Sequence, residues 1–375
     1  MHITIEVDKS VDLVYYLYII SKKKTGQASN ERSTNMEKVK FGNTGVMVSK
    51  IAFGGIPIQR LGLNEAADVV RGVINLGVNF LDTANGYTDS EEKIGLAIKD
   101  FKRDSLVIAS KSGARDKKTF LENLDLSLKR LGTDYIDFYQ HHGISSREQY
   151  EALTGEGGAY EGMVEAVKAG KVRFPAFSSH NIPISIEMMK SGKFAVVQLP
   201  FNYINFEAAD DVIPLAKKLD MGFICMKPMG GGLLDNAGLC FRYLLKFDSI
   251  VPDPGVERIE ELREIIRIVE KNEFLSAEDE KEIEKQRIEF GPSWCHRCDY
   301  CQPCPQGIQM SVALIINTFF KRMTPEHARA FAAPAIEKAR TCIECRACVA
   351  RCPYNLDIPA LLKEKISYFD RMSNN

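Results

Sequence analysis

The chain has 375 residues, 45% of them hydrophobic, enough for one large domain with a sizeable core and a smaller one beside it. Its 49 basic and 50 acidic side chains are interspersed and leave a formal charge of −1, which argues against nucleic-acid or anionic-membrane partners. The one long apolar run near the start, Val11–Ile20, is broken by Asp12 and is about half of what crosses a bilayer, so no membrane span is expected.

No basic start, apolar centre and small-residue cleavage site is read at the N-terminus, and a cytoplasmic setting is expected. Ser21–Asn35 is polar and basic without an apolar period, the pattern of a flexible linker. Residues 1–35 are therefore read as an N-terminal extension ahead of a domain that begins at Met36; a small docking strand at Ile3–Val7 is the alternative. From Val48 onward, short apolar runs alternate with amphipathic stretches. Strands are expected at 50–54, 79–83, 106–111, 135–142, 172–178, 196–202, 222–228 and 249–252. Helices are expected between them at 65–76, 91–102, 119–131, 162–169, 209–219 and 260–271. Eight β-then-α units over about 250 residues fit a closed (β/α)8 TIM barrel, here assigned to residues 36–285. An open doubly wound sheet would carry G-x-G-x-x-G after a strand, and none is present.

The last 90 residues, 286–375, read as a small α-rich, ferredoxin-like iron–sulfur domain. Eight of the ten cysteines lie there in two runs: Cys295, Cys298, Cys301, Cys304-Pro305 and Cys342, Cys345, Cys348, Cys352-Pro353. Three thiolates at x2 intervals and a fourth followed by proline are the bacterial ferredoxin arrangement that wraps a 4Fe–4S cubane. The first run shortens the last gap to x2. Similar tails after each proline, Gln306–Met310 and Tyr354–Ile358, mark a duplication. Two clusters are expected, and at least one. A zinc site would separate its two C-x2-C clamps by a dozen or more residues, and disulfides need an oxidising compartment. Cys225 and Cys240 lie outside the runs and read as core thiols; Trp294 and His296 flank the first run, with His296 a spare ligand.

Active sites in such barrels sit where strands end. The second strand ends in Asp82 with Tyr87 in its loop, the third in Lys111 and the fourth in His141-His142. A buried Lys facing a Tyr lowers the phenol pKa so that it can protonate a carbonyl oxygen near neutral pH; an Asp keeps the amine charged, and a His orients the same oxygen.

With these residues the chain resembles the aldo/keto reductase family, in its branch with a C-terminal ferredoxin-like 4Fe–4S domain. The resemblance is carried by Phe80-Leu81-Asp82-Thr83-Ala84-Asn85-Gly86-Tyr87 with Ser90-Glu91, and by Leu128–Asp137. It implies a catalytic tetrad of Asp82, Tyr87, Lys111 and His142, with His141 a neighbour. It also implies cofactor contacts from Ser178, Ser179 and Gln198 to a nicotinamide amide, and from Lys227, Pro228, Gly230 and Gly231 to a pyrophosphate. Arg258 or Arg263 would supply charge near the adenosine ribose. Where the family often has a basic residue and a Glu-Asn pair, this chain has Glu257 and Ile265, so NADPH and NADH both stay open. The implied function is an NAD(P)H-dependent oxidoreductase acting on a small-molecule carbonyl or alcohol. The substrate pocket is expected from 56–63, 143–160 and the cysteine module. The clusters are either structural or relay electrons to a ferredoxin-type partner. The alternatives are an iron–sulfur electron-transfer protein using the barrel as a scaffold, or a nicotinamide-sensing subunit.

Overall fold

A computed structural model describes residues 36–373. The expectations for residues 1–35, including the strand at Ile3–Val7, lie outside the described residues. The fold opens with an antiparallel hairpin, β1 (Lys38–Lys40) and β2 (Met47–Ser49), with Val39 opposite Val48. Eight parallel strands follow: β3 (Phe53–Gly54), β4 (Phe80–Asp82), β5 (Val107–Ser112), β6 (Ile136–His141), β7 (Val172–Ser178), β8 (Val196–Pro200), β9 (Gly222–Met226) and β10 (Val251–Pro252). Each pairs with the next in chain order. The ring closes where Ala52 N donates to Pro252 O at 2.8 Å and Gly54 N to Pro254 O at 2.9 Å.

All eight expected strands are present; six are shorter than the apolar runs, because the ladder stops where the chain turns into a βα loop, while Val107–Ser112 and Val172–Ser178 keep the expected length. Helices not expected from the sequence include Arg147–Thr154, Ile182–Lys190 and Ala237–Leu244. All three start at side-chain caps, Ser146, Asn181 and Asn236. The hairpin was also missed. It plugs the floor of the barrel: the Phe41 ring packs 5.5 Å from Phe80 and 5.3 Å from Phe138. Gly222 is required there, since a Cβ would stand 2.5 Å from the Phe41 ring.

The helix Ala277–Phe290 leads out of the barrel, running across residue 285, with a capping box formed by Ser276 and Asp279. The module beyond it is helical, with a core of its own around Ile316, Phe319, Ala332, Ile336, Leu356 and Leu362. It lies across the C-terminal ends of the strands. Asn181, after β7, donates to Cys298 O at 3.0 Å; Trp294 donates to Asn205, after β8, at 2.9 Å; and Lys321 donates to Gly232 O, after β9, at 3.0 Å. No helix among the described residues is long and apolar enough to cross a membrane.

Candidate active site

Between the strand ends and the module lies a cavity of about 610 Å³, lined by Asp82, Tyr87, His142, Gln198, Lys227 and Asp253 among others. Tyr87 is held in a tight turn after β4: its N–H donates to Ala84 O at 2.9 Å, and Ser90 N donates to Tyr87 O at 2.8 Å. Lys111, wholly buried, donates from Nζ to Asp82 Oδ2 at 2.5 Å and to Thr83 O at 2.7 Å. That ammonium stands 5.3 Å from the centre of the Tyr87 ring. The His142 ring meets Tyr87 edge-on at 5.8 Å. Asp82, Tyr87, Lys111 and His142, drawn from three strands, are thus brought together at one end of the cavity.

The electrostatics differ from the sequence expectation in one respect. Burial pushes the Tyr87 phenol above its ordinary pKa and outweighs the pull of Lys111. The ammonium is already answered by Asp82, so little of its field is left for the phenol. Burial alone would push Lys111 down, but Asp82 reverses that and the amine is held above its usual value. Tyr87 is therefore a protonated hydroxyl beside a permanent cation. His142 is pushed down to about 3 by burial and by Lys111, and is neutral. His141 points the other way, its ring 4.9 Å from Phe120, with neither ring nitrogen hydrogen-bonded.

Two residues that sequence reasoning missed complete this end. Asp253, directly after β10, accepts from Gln198 Nε2 at 2.8 Å, and the same amide nitrogen lies 3.3 Å from Asp82 Oδ2. Burial and the neighbouring Asp82 carboxylate raise Asp253 well above the carboxylate range. The strand-end rule that found Asp82 applies equally to Asp253. His180, the other, follows β7, and its Nε2 lies 2.9 Å from Lys227 Nζ and 3.2 Å from Arg297 Nη1.

The cofactor residues implied by resemblance divide. Gln198, Lys227, Pro228 and Gly231 line the cavity; Gly230 lines a smaller one adjoining it. Gln198 Oε1 is buried without a partner, an acceptor suited to a carboxamide N–H. Gly230, Gly231 and Gly232 all have positive φ (60°, 69° and 86°), leaving backbone free to approach phosphate. Ser178, Ser179, Arg258 and Arg263 do not line the cavity. Ser178 Oγ accepts from Gly143 N at 3.0 Å, and Ser179 Oγ accepts from Asn181 N at 3.0 Å. Arg258 is exposed and paired with Glu261 at 2.8 Å; Arg263 lies half-buried on the same helix. The adenosine end implied by resemblance is instead acidic, with Glu257, Glu261 and Glu264 beside Ile265. Glu257 is paired with Arg60 at 3.1 Å.

The eight module cysteines line two small hollows, and the two runs exchange their fourth members. Cys295, Cys298 and Cys301 share a hollow with Cys352; Cys342, Cys345 and Cys348 share the other with Cys304. A single run therefore does not wrap a single cluster, as the spacing alone suggested. The prolines turn each fourth thiol across to the facing loop, the crossed ligation of two-cluster ferredoxins. The duplication is visible in the backbone: Arg297 and Glu344, Asp299 and Arg346, and Gly307 and Asn355 occupy matching positions, all with positive φ. Four thiols per hollow fit a 4Fe–4S cubane. Among the described residues no three His, Cys, Asp or Glu side chains stand close enough to hold a single metal ion. His296 does not join a ligand set; its ring stacks on Tyr354 at 3.6 Å, with Nδ1 2.8 Å from Asn205 Nδ2.

Comparison with known proteins agrees with this architecture. The aldo-keto reductase AKR11C1 from Bacillus halodurans superposes with a TM-score of 0.57 at 24% identity, covering 67% of this chain and 96% of that one. An aldo/keto reductase from Klebsiella pneumoniae gives 0.57 at 20%, covering 67% and 95%. These show the fold, a (β/α)8 barrel. The aldo/keto reductase family pattern matches residues 50–239, and a 4Fe–4S dicluster domain matches residues 294–357. The chain belongs to the aldo/keto reductase family, an oxidoreductase family, and carries a C-terminal 4Fe–4S domain. Among relatives, aldo-keto reductase YhdN of Bacillus subtilis is 30% identical over 200 residues, 48% of this chain and 59% of that protein. L-Galactose dehydrogenase of Arabidopsis thaliana is 28% identical over 226 residues, 55% and 69%. The chain thus spans about three-fifths of the length of YhdN.

Proposed function

We propose that the protein is an NAD(P)H-dependent oxidoreductase that reduces a small-molecule aldehyde or ketone to an alcohol, or runs the reverse, with Asp82, Tyr87, Lys111 and His142 as its catalytic set. The observation that carries this reading is Lys111, locked on Asp82 and 5.3 Å from the Tyr87 ring at the floor of a cavity that could hold substrate and cofactor. When bound, a dihydronicotinamide held by Gln198 and the loop 227–232 would supply the hydride for the carbonyl carbon. Tyr87 gives its phenolic proton to the carbonyl oxygen as that bond to carbon forms, and the Lys111 ammonium stabilises the phenolate left behind. Neutral His142 is placed to donate a hydrogen bond to the same oxygen.

Gln198 Oε1 and the loop 227–232 would hold the carboxamide and pyrophosphate. The acidic lining from Glu257 to Glu264 favours NADH, because a 2′-phosphate there would meet like charge. The two crossed hollows favour two clusters, which supply one-electron transfer and need a compartment that keeps thiols reduced. A division into barrel and module draws on their separate cores, with the helix Ala277–Phe290 and Trp294 carrying the barrel's packing past the limit of 36–285 and into 286–375. A second role, electron exchange with a ferredoxin-type partner, draws on Arg297, which lines both the cavity and one cysteine hollow.

The test is single-turnover oxidation of NADH and NADPH bound to anaerobically purified protein, mixed with a panel of aldehydes and ketones. The proposal expects stoichiometric alcohol. Tight cofactor binding without turnover across the panel would favour the sensing reading, and oxidation that consumes only a ferredoxin would favour the electron-transfer one.

A further inference from the structure

Three half-buried basic side chains in the cavity wall form no ion pair among the described residues, and burial together with Arg297 and Arg322 pushes the Lys227 amine well below its ordinary pKa. Lys227, just beyond β9, and Arg297, between Cys295 and Cys298, both converge on His180 Nε2. Arg322 ends the module helix Ile316–Arg322; its Nε donates to Thr318 O at 3.1 Å. Its guanidinium lies along the glycine loop, where a Cβ on Gly231 would stand 3.6 Å from the guanidinium carbon. All three line the same cavity as Tyr87 and His142, and among the described residues none forms an ion pair. The acids of that cavity are engaged elsewhere or exposed. Asp82 holds Lys111, Asp253 accepts from Gln198, Glu257 pairs with Arg60 and Glu261 with Arg258, while Asp235 and Glu264 face solvent.

We propose that Lys227, Arg297 and Arg322 form an anion site, and that the substrate is a carbonyl compound carrying a carboxylate, gripped there while its C=O faces Tyr87. The inference rests on the reductase reading above and adds the substrate class to it. Basic groups drawn together out of bulk water disfavour one another's charge, Lys227 most of all; a bound anion would favour the charged form of each and offset the lost hydration. A guanidinium fork matches the two oxygens of a carboxylate. The cofactor pyrophosphate is served by the backbone of the glycine loop, whereas Arg297 and Lys227 meet at His180 and act electrostatically on His142. Two of the three cations belong to the iron–sulfur module. The module thereby selects the substrate, and Arg297 is fixed for that task by the cluster ligands on either side of it.

The experiment uses the full chain with its clusters and NADH, and compares pyruvate and 4-oxopentanoate with their methyl esters. The acids are expected to exceed the esters in kcat/KM by about 10- to 100-fold, the range of a charge-assisted hydrogen bond. Arg322→Gln and Arg297→Gln should each cut the acid/ester ratio about tenfold, and Arg322→Lys should restore part of it. Iron content and circular dichroism establish that each variant is folded; should one glutamine variant fail to fold, the other and Arg322→Lys carry the test. An acid/ester ratio near one in the wild type would overturn the proposal. So would variants that weaken NADH binding tenfold with the ratio unchanged, since that would assign the cations to the pyrophosphate. Should neither acid nor ester be reduced, the reductase reading fails alone; calorimetry of 4-oxopentanoate and pyruvate on the NADH-loaded protein then decides. Binding that Arg322→Gln abolishes supports the anion site, and no binding of either acid overturns it.

Discussion

Replacing Lys111 by Met keeps the length of the side chain and removes only its charge, which the structure gives two separate tasks. The first is folding. Nζ contacts Asp82 Oδ2 at 2.5 Å and Thr83 O at 2.7 Å in a wholly buried site, with Asp253 close by. Removing one member of a buried pair leaves the other uncompensated and costs about 3–5 kcal/mol. Because the folded-state pKa of Lys111 is raised, this contribution is complete at every pH below the unfolded value of ~10.4 and fades as pH rises through the folded one. The gap between wild type and Lys111→Met should therefore be flat from about pH 6 to 9 and narrow above about 10.5. The second task is catalysis. Over 5.3 Å, at an effective dielectric of ~20, a unit charge stabilises a phenolate by about 3 kcal/mol, and Asp82 cancels part of it. A loss of about 10- to 100-fold in single-turnover rate follows. Denaturant titration at several pH values and stopped-flow NADH oxidation measure the two tasks. A variant as stable as wild type and within twofold in rate would refute the pairing on which both rest.

Three further outcomes follow from other parts of the molecule. Cys352→Ser should perturb the same cluster signal in electron paramagnetic resonance as Cys295→Ser, and Cys304→Ser the same one as Cys342→Ser; the opposite grouping would mean that each run binds its own cluster. Glu257→Gln should raise affinity for NADPH relative to NADH by about tenfold, by removing a like charge from the adenosine end, and an unchanged ratio in fluorescence titration would place the 2′-hydroxyl elsewhere. Phe41→Ala, which empties the barrel floor between Phe80 and Phe138, should cost about 3–5 kcal/mol in denaturant while kcat/KM holds; a cost under about 1 kcal/mol would contradict the plug.

The strands were legible because each is an apolar run bounded by turn residues, and the eightfold alternation left little choice of fold. The hairpin was not, since Lys38–Lys40 and Met47–Ser49 are too short to show a period. Asp82, Lys111 and His142 could be read because barrel chemistry sits at strand ends, and Asp253 was open to the same reasoning. The sense of the Tyr87 shift could not be read, because it depends on how far burial outweighs a cation already neutralised by Asp82. The crossing of the cysteines was hidden for a related reason: spacing along the chain does not say which loop a fourth thiol faces. Arg297 and Arg322 carried no signal pointing to the barrel, since nothing local in a C-x2-C loop or a module helix says what it docks on. Ser178 and Ser179 match the family pattern in sequence, but neighbouring backbone groups occupy their hydroxyls.

The account stands or falls on the Tyr87 hydroxyl as the proton source, and Tyr87→Phe tests it most directly. With NADH bound and an aldehyde in excess, single-turnover oxidation should fall by at least about a thousandfold, while the dissociation constant for NADH and the iron content stay at their wild-type values. Alcohol formation at the wild-type rate by Tyr87→Phe would show that the proton comes from another group.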